Sequence, residues 1–422
     1  MRLLLLTPQL PYPPHQGTTM RNYGLIAGLA RRHQVHLLSF LSPGDDLQGA
    51  QPLQVLCETV DAVPQPARTL RQRLWTLLTS PLPDMAHRLA SPAFERVLCG
   101  LLARHDFDVV EFEGIEMIPY MRPVLEANCW PCLVFDDHNA EYVLQRRVFE
   151  TDVRLLRRLP GALYSFVQWQ RLRRYETWAC RQADVVVAVS ERDAEALGRI
   201  IPGKQITVVP NGIDVAEYRS WPAQAEPELP SNSLVFTGKM DFRPNIDAAL
   251  WFAQRVFPLI RDVVPDARFY VVGQRPHTRL DVIRDQPGVT ITGRVPETKP
   301  YIASAAVYVI PLRSGGGTRF KVLEAMSLGR PIVSTSMGCD GFPVTDGRDV
   351  LLADEPQAFA DRVVALLQDP TREKALIAAA SKFVTDYDWS TVVPRLEATY
   401  CVKRPSSAVG TSRGQSAMRR ET

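Results

Sequence analysis

What most constrains this chain is an alternation of strand-like and helix-like segments that runs through it twice. Short apolar runs stand at Leu3–Leu6, Val35–Phe40, Val109–Phe112, Leu133–Phe135, Val185–Val189 and Ile206–Val209, with helix-like stretches between most of them. A second set follows at Leu234–Phe236, Phe269–Val272, Val289–Thr292, Val307–Ile310, Ile332–Ser334 and Val350–Leu352. Runs that are apolar almost without a break suit strands covered on both faces, as in a parallel sheet flanked by helices. The expected fold class is α/β, with two Rossmann-like, doubly wound parallel sheets of about six strands each.

A length of 422 residues agrees with two or three domains. Residues 1–214 form the expected first domain and 234–385 the second. The linker 215–233 contains Trp221–Ser233, where both periodicities break. From about Pro405 the chain is polar and patternless, so 403–422 is read as a disordered tail. Sheets of this kind bind ligands beyond the carboxyl ends of their strands, and the two domains are expected to share a cleft there.

One stretch carries most of the chemistry. Val307–Ile310 is followed by Gly315, Gly316 and Gly317, then by Thr318 where a helix is expected to begin, with Gly329 and Pro331 as its stop. Phe320, Leu323 and Met326 share one helical face, and Lys321 and Glu324 another. Glycines leave N–H groups open at the positive end of a helix dipole, which suits an anion, and Arg319 and Lys321 add charge. A carboxylate one turn further in can accept from vicinal hydroxyls. The parts suit a ligand with phosphates and a diol; they also suit a turn serving only helix–sheet packing, with an exposed Lys–Glu pair.

Three further stretches bear on function. The first turn, Thr7–Met20, is stiffened by prolines and ends in Gly17, with Thr18 as the expected N-cap. Asp136-Asp-His-Asn-Ala-Glu141 follows a strand, where His138 among carboxylates can orient a hydroxyl, move a proton, or serve structure alone. Its spacing does not converge enough ligands for a metal, and none is expected. Val153–Gln182 is rich in arginine and aromatic residues. It reads as a helix with a solvated basic side, interrupted at Pro160 and Gly161, or as a surface resting on an anionic membrane.

Several readings fail. Gly198–Lys204 mimics a phosphate loop, but Gln205 stands where Ser or Thr must bind Mg²⁺, and a strand follows instead of a helix. Cys129-Trp-Pro-Cys132 enters a strand, whereas a reactive dithiol sits at a helix N-terminus. No G-x-G-x-x-G follows either first strand, which weakens a dinucleotide enzyme. A net charge of +3 gives no footing for nucleic acid. The seven scattered cysteines suggest a reducing compartment and buried thiols rather than a disulfide framework. The four apolar residues before Thr7 are too few for a signal sequence, no run approaches membrane-spanning length, and a cytoplasmic protein is expected.

Taken together, the residues resemble retaining glycosyltransferases of family 4 with the GT-B fold. The matching pieces are Val186–Asp193, Pro210-Asn-Gly-Ile-Asp214, Phe236-Thr-Gly-Lys-Met240, Pro244-Asn245, Val271-Val-Gly273, Ile291-Thr-Gly-Arg-Val295, the Gly315–Met326 stretch and Asp386-Tyr-Asp-Trp-Ser390. The last is similar to the point where the final helix, 386–402, crosses back to the first domain. The resemblance implies metal-independent, cofactor-free transfer of a sugar from a UDP- or GDP-linked donor to a saccharide or lipid-linked acceptor. Cell-envelope or exopolysaccharide synthesis would be its setting, with possible peripheral contact at the inner membrane face. It implies that Glu324 holds the ribose, that Lys239, Gly238, Gly316, Gly317, Thr318, Arg319 and Lys321 meet the diphosphate or sugar, and that Arg294 and Val295 meet the nucleotide. His138 would lie near the transferred sugar, and Gly17 would let the phosphate approach.

Two positions depart from that pattern. Gly316 replaces the first glutamate of the family's E-x7-E, which meets the sugar hydroxyls, and Pro244-Asn245 stands where a second lysine is usual. Lys321 is read as compensating. A sugar-nucleotide epimerase and a non-catalytic sugar-nucleotide-binding protein are the alternatives.

Overall fold

A computed structural model describes residues 1–127, 129–153, 159–221, 227–317 and 319–401, so Thr318, Arg154, Arg157, Arg158 and the expected tail lie outside the described residues. The chain divides into two compact units. Unit 1 comprises Met1–Pro210 and the chain from Val392, and unit 2 comprises Asn211–Thr391.

Unit 1 is built on seven parallel strands: β1 (Arg2–Thr7), β2 (Gln34–Leu41), β3 (Thr59–Pro64), β4 (Val109–Glu113), β5 (Cys132–Asp137), β6 (Val185–Ala188) and β7 (Ile206–Val208). Their order is β3-β2-β1-β4-β5-β6-β7. β3 is the strand missing from the sequence reading. As an edge strand it holds Asp61 mid-run and buries only Val63, so it never becomes a continuous apolar run. The inner residues of β1, β2, β4 and β5 are fully enclosed, and Phe40 stacks on Phe94 with ring centroids 4.4 Å apart.

Unit 2 repeats the plan with β8 (Ser233–Thr237), β9 (Arg268–Val272), β10 (Val289–Gly293), β11 (Val307–Ile310), β12 (Ile332–Ser334) and β13 (Leu351–Leu352), all parallel, in the order β10-β9-β8-β11-β12-β13. Both orders reverse direction once, between β1 and β4 and between β8 and β11. The connections leaving those strand ends diverge and open a crevice.

Three expectations need correction. The segment read as a linker contains a helix, Val215–Arg219, whose Val215 and Tyr218 join the core of unit 2. From Leu159 on the helix runs unbroken through Pro160 and Gly161, while residues 154–158 before it lie outside the described residues. Pro160 and Gly161 sit in the first turn of Leu159–Gln182, where a missing N–H costs nothing. The cysteines are not all free: Cys132 of β5 is bonded to Cys401, 269 residues away. That bond lies where the returning chain closes on unit 1. The Trp389–Glu397 helix sets Val393 against Gly28, where an added Cβ would fall 2.4 Å from a Val393 methyl. Tyr400 then donates from its hydroxyl to Glu111 at 2.8 Å.

Candidate functional site

Unit 2 concentrates its polar side chains where β8 and β11 end. The helix is Phe320–Ser327 with Arg319 at its N-cap position, and Thr318, the expected start, lies outside the described residues. Gly315 and Gly317 take left-handed backbone conformations, φ 110° and 80°. A Cβ on Gly315 would lie 3.1 Å from Arg319 Nη2 and 3.3 Å from Pro244, so the turn lies close over both, with Gly316 between.

Arg319 is 8% exposed, and its Nε and Nη2 have no hydrogen-bond partner among the described residues. Burial lowers its pKa, and Asp340 opposes that. A buried guanidinium without acceptors is costly unless an anion completes it. Lys321 is not the exposed residue of the packing-only reading. Its Nζ donates to the Thr237 carbonyl at 2.9 Å, stands 3.5 Å from Asn245 Oδ1, and lies 4.5 Å from the centre of the Phe236 ring. Burial, with the Arg319 charge beside it, pushes its pKa down to about 7, and Glu324 acts against the shift.

Glu324 sits one turn further in, and burial raises its pKa against the pull of Tyr218, Lys321 and Lys299. The Tyr218 hydroxyl donates to Glu324 Oε1 at 3.1 Å, while the Lys299 ammonium lies over the Tyr218 ring at 4.6 Å and pairs with Glu217. Tyr218 and Lys299 were not legible as site residues. The helix bearing Tyr218 falls in a stretch whose periodicity reads as linker.

Lys239 follows β8 and is exposed, and its carbonyl accepts from Asn245 Nδ2 at 2.9 Å. The neighbouring Gly238 packs on Gly273, where a Cβ would stand 1.7 Å from the Gly238 oxygen, so a side chain at Gly273 would force these two loops apart. Arg294, exposed, and Val295, half-buried, follow β10. The structure thus gathers Arg319, Lys321 and Glu324 around one turn, with Gly315 to Gly317 above them and Lys239 on the adjoining loop.

Unit 1 holds a cluster of opposite sign. Gly17 opens the Gly17–Leu29 helix after β1, and the N-cap is Gln16, whose N–H donates to the Thr19 hydroxyl at 3.0 Å, not the expected Thr18. From that helix Arg21 reaches Asp136 at 2.6 and 3.0 Å and the Pro210 carbonyl at 3.2 Å, with both partners of the ion pair fully enclosed. His138 Nε2 lies 2.8 Å from Glu113 Oε2, and the Asn22 amide, with its nitrogen turned toward that oxygen, would donate to it at 2.9 Å. Burial, helped by Arg21, pushes His138 down to about 4 against the opposing pull of Asp136, so the ring is neutral near pH 7. Glu111 and Glu113 are raised by burial and then by neighbouring acids, as is Asp137, whose two oxygens have no partner among the described residues. Glu176 accepts the N–H groups of Glu141 and Tyr142 and so caps the Glu141–Asp152 helix. Glu113, Asp136 and His138 bring ligand atoms within 4.8 Å of one another, but the Arg21 guanidinium already supplies positive charge there.

The profile described as Glycosyltransferase Family 4 matches residues 16–217, and that described as Glycosyl transferases group 1 matches residues 231–369. Over 207 residues the chain is 27% identical to the phosphatidyl-myo-inositol mannosyltransferase of Mycobacterium leprae, covering 47% of this chain and 54% of that one. Over 246 residues it is 27% identical to the GDP-mannose:cellobiosyl-diphosphopolyprenol alpha-mannosyltransferase of Xanthomonas campestris, covering 56% and 61%. The chain spans about half the length of the mycobacterial relatives it matches. Among solved structures, sucrose-phosphate synthase of Thermosynechococcus elongatus aligns with a TM-score of 0.68 at 17% identity, covering 95% of this chain and 98% of that one. HepE of Anabaena, crystallised with UDP, aligns with a TM-score of 0.63 at 15% identity, covering 94% and 99%. Likeness at those identities speaks for the architecture alone. With matched stretches in both units and two sheets of this order, the chain belongs to the group 1, family 4 glycosyltransferases and has the GT-B fold.

Proposed function

We propose that the protein transfers a sugar from a nucleoside-diphosphate sugar to a hydroxyl of a saccharide or lipid-linked acceptor, with retention at the anomeric carbon and without a metal. The observation that carries this reading is the cation pair under the glycine turn. Arg319 is buried with unpartnered nitrogens, and Lys321 beside it has its ammonium disfavoured until an anion arrives. Glu324, with Tyr218 behind it, is assigned to the ribose hydroxyls, and Arg294 and Val295 to the nucleotide. The ammonium of Lys321 reaches Asn245, at the place where relatives carry a second lysine, which supports reading it as the compensating cation.

Breaking the bond from C1 to the leaving phosphate builds negative charge on the diphosphate. Arg319, Lys321, Lys239 and the N–H groups of the turn stabilise that charge more in the transition state than in the ground state. The acceptor oxygen bonds C1 on the face the phosphate leaves, and the acceptor proton passes to the departing phosphate oxygen. His138, neutral and held through Glu113, is assigned to the transferred sugar, and Gly17 to the approach of phosphate. The names of the mannosyltransferase relatives favour a GDP-linked mannose and a lipid-borne acceptor in envelope or exopolysaccharide synthesis.

A thermal-shift series with UDP, GDP, ADP and their sugar conjugates tests the donor site, since a ligand of the folded state raises the midpoint. One nucleoside diphosphate should shift it, and Glu324→Ala should abolish the shift and lower turnover roughly a hundredfold. No shift with any of them, or full turnover by Glu324→Ala or Lys239→Ala, overturns the assignment. Retention is read from the anomeric coupling in the product, and metal independence from turnover in EDTA.

A further inference from the structure

The Leu70–Thr79 helix of unit 1 is a helix turned inside out. Leu70, Leu74 and Leu78 recur every four residues and Trp75 extends the same arc, the pattern of a face meant for burial. Yet these four side chains are 53 to 82% exposed, and no residue of the helix is buried. The helix is nevertheless firmly held from its other side. Arg171 donates to the Leu77 carbonyl at 2.8 Å, and Arg68 bonds the Thr76 hydroxyl at 2.9 Å and Asp84 at 3.0 Å.

The exposed apolar surface continues onto the neighbouring Leu159–Gln182 helix. Tyr164 of that helix lies near Arg73, and Leu163 and Phe166 are exposed beside it. Arginine dominates the charge around this surface, although Asp84 pairs with Arg68 and Arg73. Residues 65–83 contain Arg68, Arg71 and Arg73 and no Asp or Glu, and residues 159–175 contain Arg171, Arg173 and Arg174 and again none. Arg71 rises within the leucine arc itself, as a long cationic side chain does when its stem lies among apolar groups and its head reaches phosphates.

We infer that this face, centred on Leu74, Trp75 and Leu78, docks unit 1 on an anionic lipid surface. Leucines and a tryptophan enter the headgroup–acyl boundary while the arginines meet lipid phosphates. The face adds the Leu70–Thr79 helix to part of the arginine-rich stretch singled out in the sequence, Val153–Gln182. No helix among the described residues is long and apolar enough to cross a membrane, so the contact is one that lies on the surface. Insofar as it locates where a lipid-borne acceptor is met, the inference rests on the acceptor class proposed above.

Flotation of the full chain with phosphatidylcholine vesicles, with and without about a third phosphatidylglycerol, tests it. The wild type should float with the anionic vesicles, weakly or not at all with the neutral ones, and less as salt is raised. Leu74→Glu/Leu78→Glu should reduce the bound fraction about tenfold while keeping the thermal midpoint and the nucleotide-induced shift of the wild type. Brominated acyl chains should quench tryptophan emission in the wild type, and Trp75→Phe should remove most of that quenching. No flotation of the wild type, or equal flotation of the double variant, overturns the inference. So does a wild-type dimer that the double variant converts to monomer without any flotation, which would give the face to a second copy. Transfer to a water-soluble acceptor without flotation sinks this inference and leaves the proposed activity; flotation without any transfer does the reverse.

Discussion

The two units share a sheet plan and bury charge in opposite ways. In unit 1 the enclosed groups are acids, Glu111, Glu113, Asp136 and Asp137, with one guanidinium, Arg21, among them. In unit 2 the groups under the glycine turn are cations, Arg319 and Lys321, with one carboxyl, Glu324, near them. Unit 1 balances its charge, because burial favours the protonated form of Glu111, Glu113 and Asp137 and Arg21 pairs Asp136, although five oxygens of these four acids have no hydrogen-bond partner among the described residues. Unit 2 does not, because two nitrogens of Arg319 lack acceptors among the described residues and Lys321 is held close to neutrality. A cluster whose charge is balanced within itself serves structure and positioning, whereas one with an excess of one sign is set for a ligand of the other.

The largest test of that contrast is Arg21→Met. If unit 1 is self-balanced through this pair, removing the guanidinium leaves Asp136 buried and uncompensated at about 3–5 kcal/mol in denaturant unfolding. The nucleotide-induced shift should persist wherever the variant is folded. Unchanged stability would mean that Asp136 holds a proton and needs no partner.

Next in size is the pH dependence of nucleotide binding. Lys321 has a folded pKa of about 7 against an ordinary 10.5, so its neutral form contributes stability that is present above 10.5 and lost as pH falls toward 7. A diphosphate reverses the preference by favouring the charged form, so binding takes up a proton. Above pH about 7 the affinity should weaken by up to about tenfold per unit, and calorimetry in buffers of different ionisation enthalpy should register the uptake. Lys321→Met should bind more weakly and with a flatter profile. A profile as steep as the wild type's would assign the proton to another group.

The smallest expected effect is that of Tyr218→Phe. Losing one hydrogen bond to Glu324 should cost roughly 1 kcal/mol, about fivefold in nucleotide affinity. The loss should be non-additive with Glu324→Ala if Tyr218 acts only by holding that carboxylate. Additive losses would give Tyr218 a contact of its own.

Where the sequence was legible, one physical pattern did the signalling. Enclosed strands such as Leu3–Leu6 and Val307–Ile310 are continuous apolar runs because both faces are covered. The edge strand Thr59–Pro64 gave no such signal, since a strand paired on one side tolerates Asp61. Gly315, Lys321 and Glu324 were readable because they sit within a few residues of each other. Tyr218 stands 106 residues from Glu324, Cys132 lies 269 from Cys401, and Arg21 lies 115 from Asp136. Nothing local marks such partners, because only the tertiary fold joins them. The charge state of Lys321 was equally hidden, since it depends on the depth of the side chain and on Arg319.

The returning C-terminal segment has a bearing on biosynthesis. Unit 2 occupies the middle of the chain, and pieces of unit 1 come after it: Val393 on Gly28, Glu397 on Arg32 and His33, and Tyr400 on Glu111. On the ribosome the first sheet emerges early, yet the Tyr400 hydroxyl that meets Glu111 is synthesised only after every strand of unit 2. The nascent amino-terminal half therefore waits for its closing segment, with Glu111 lacking its Tyr400 partner, until unit 2 has been translated. The half made first is the half completed last, and a ribosome stalled within unit 2 would leave that half without its closing segment.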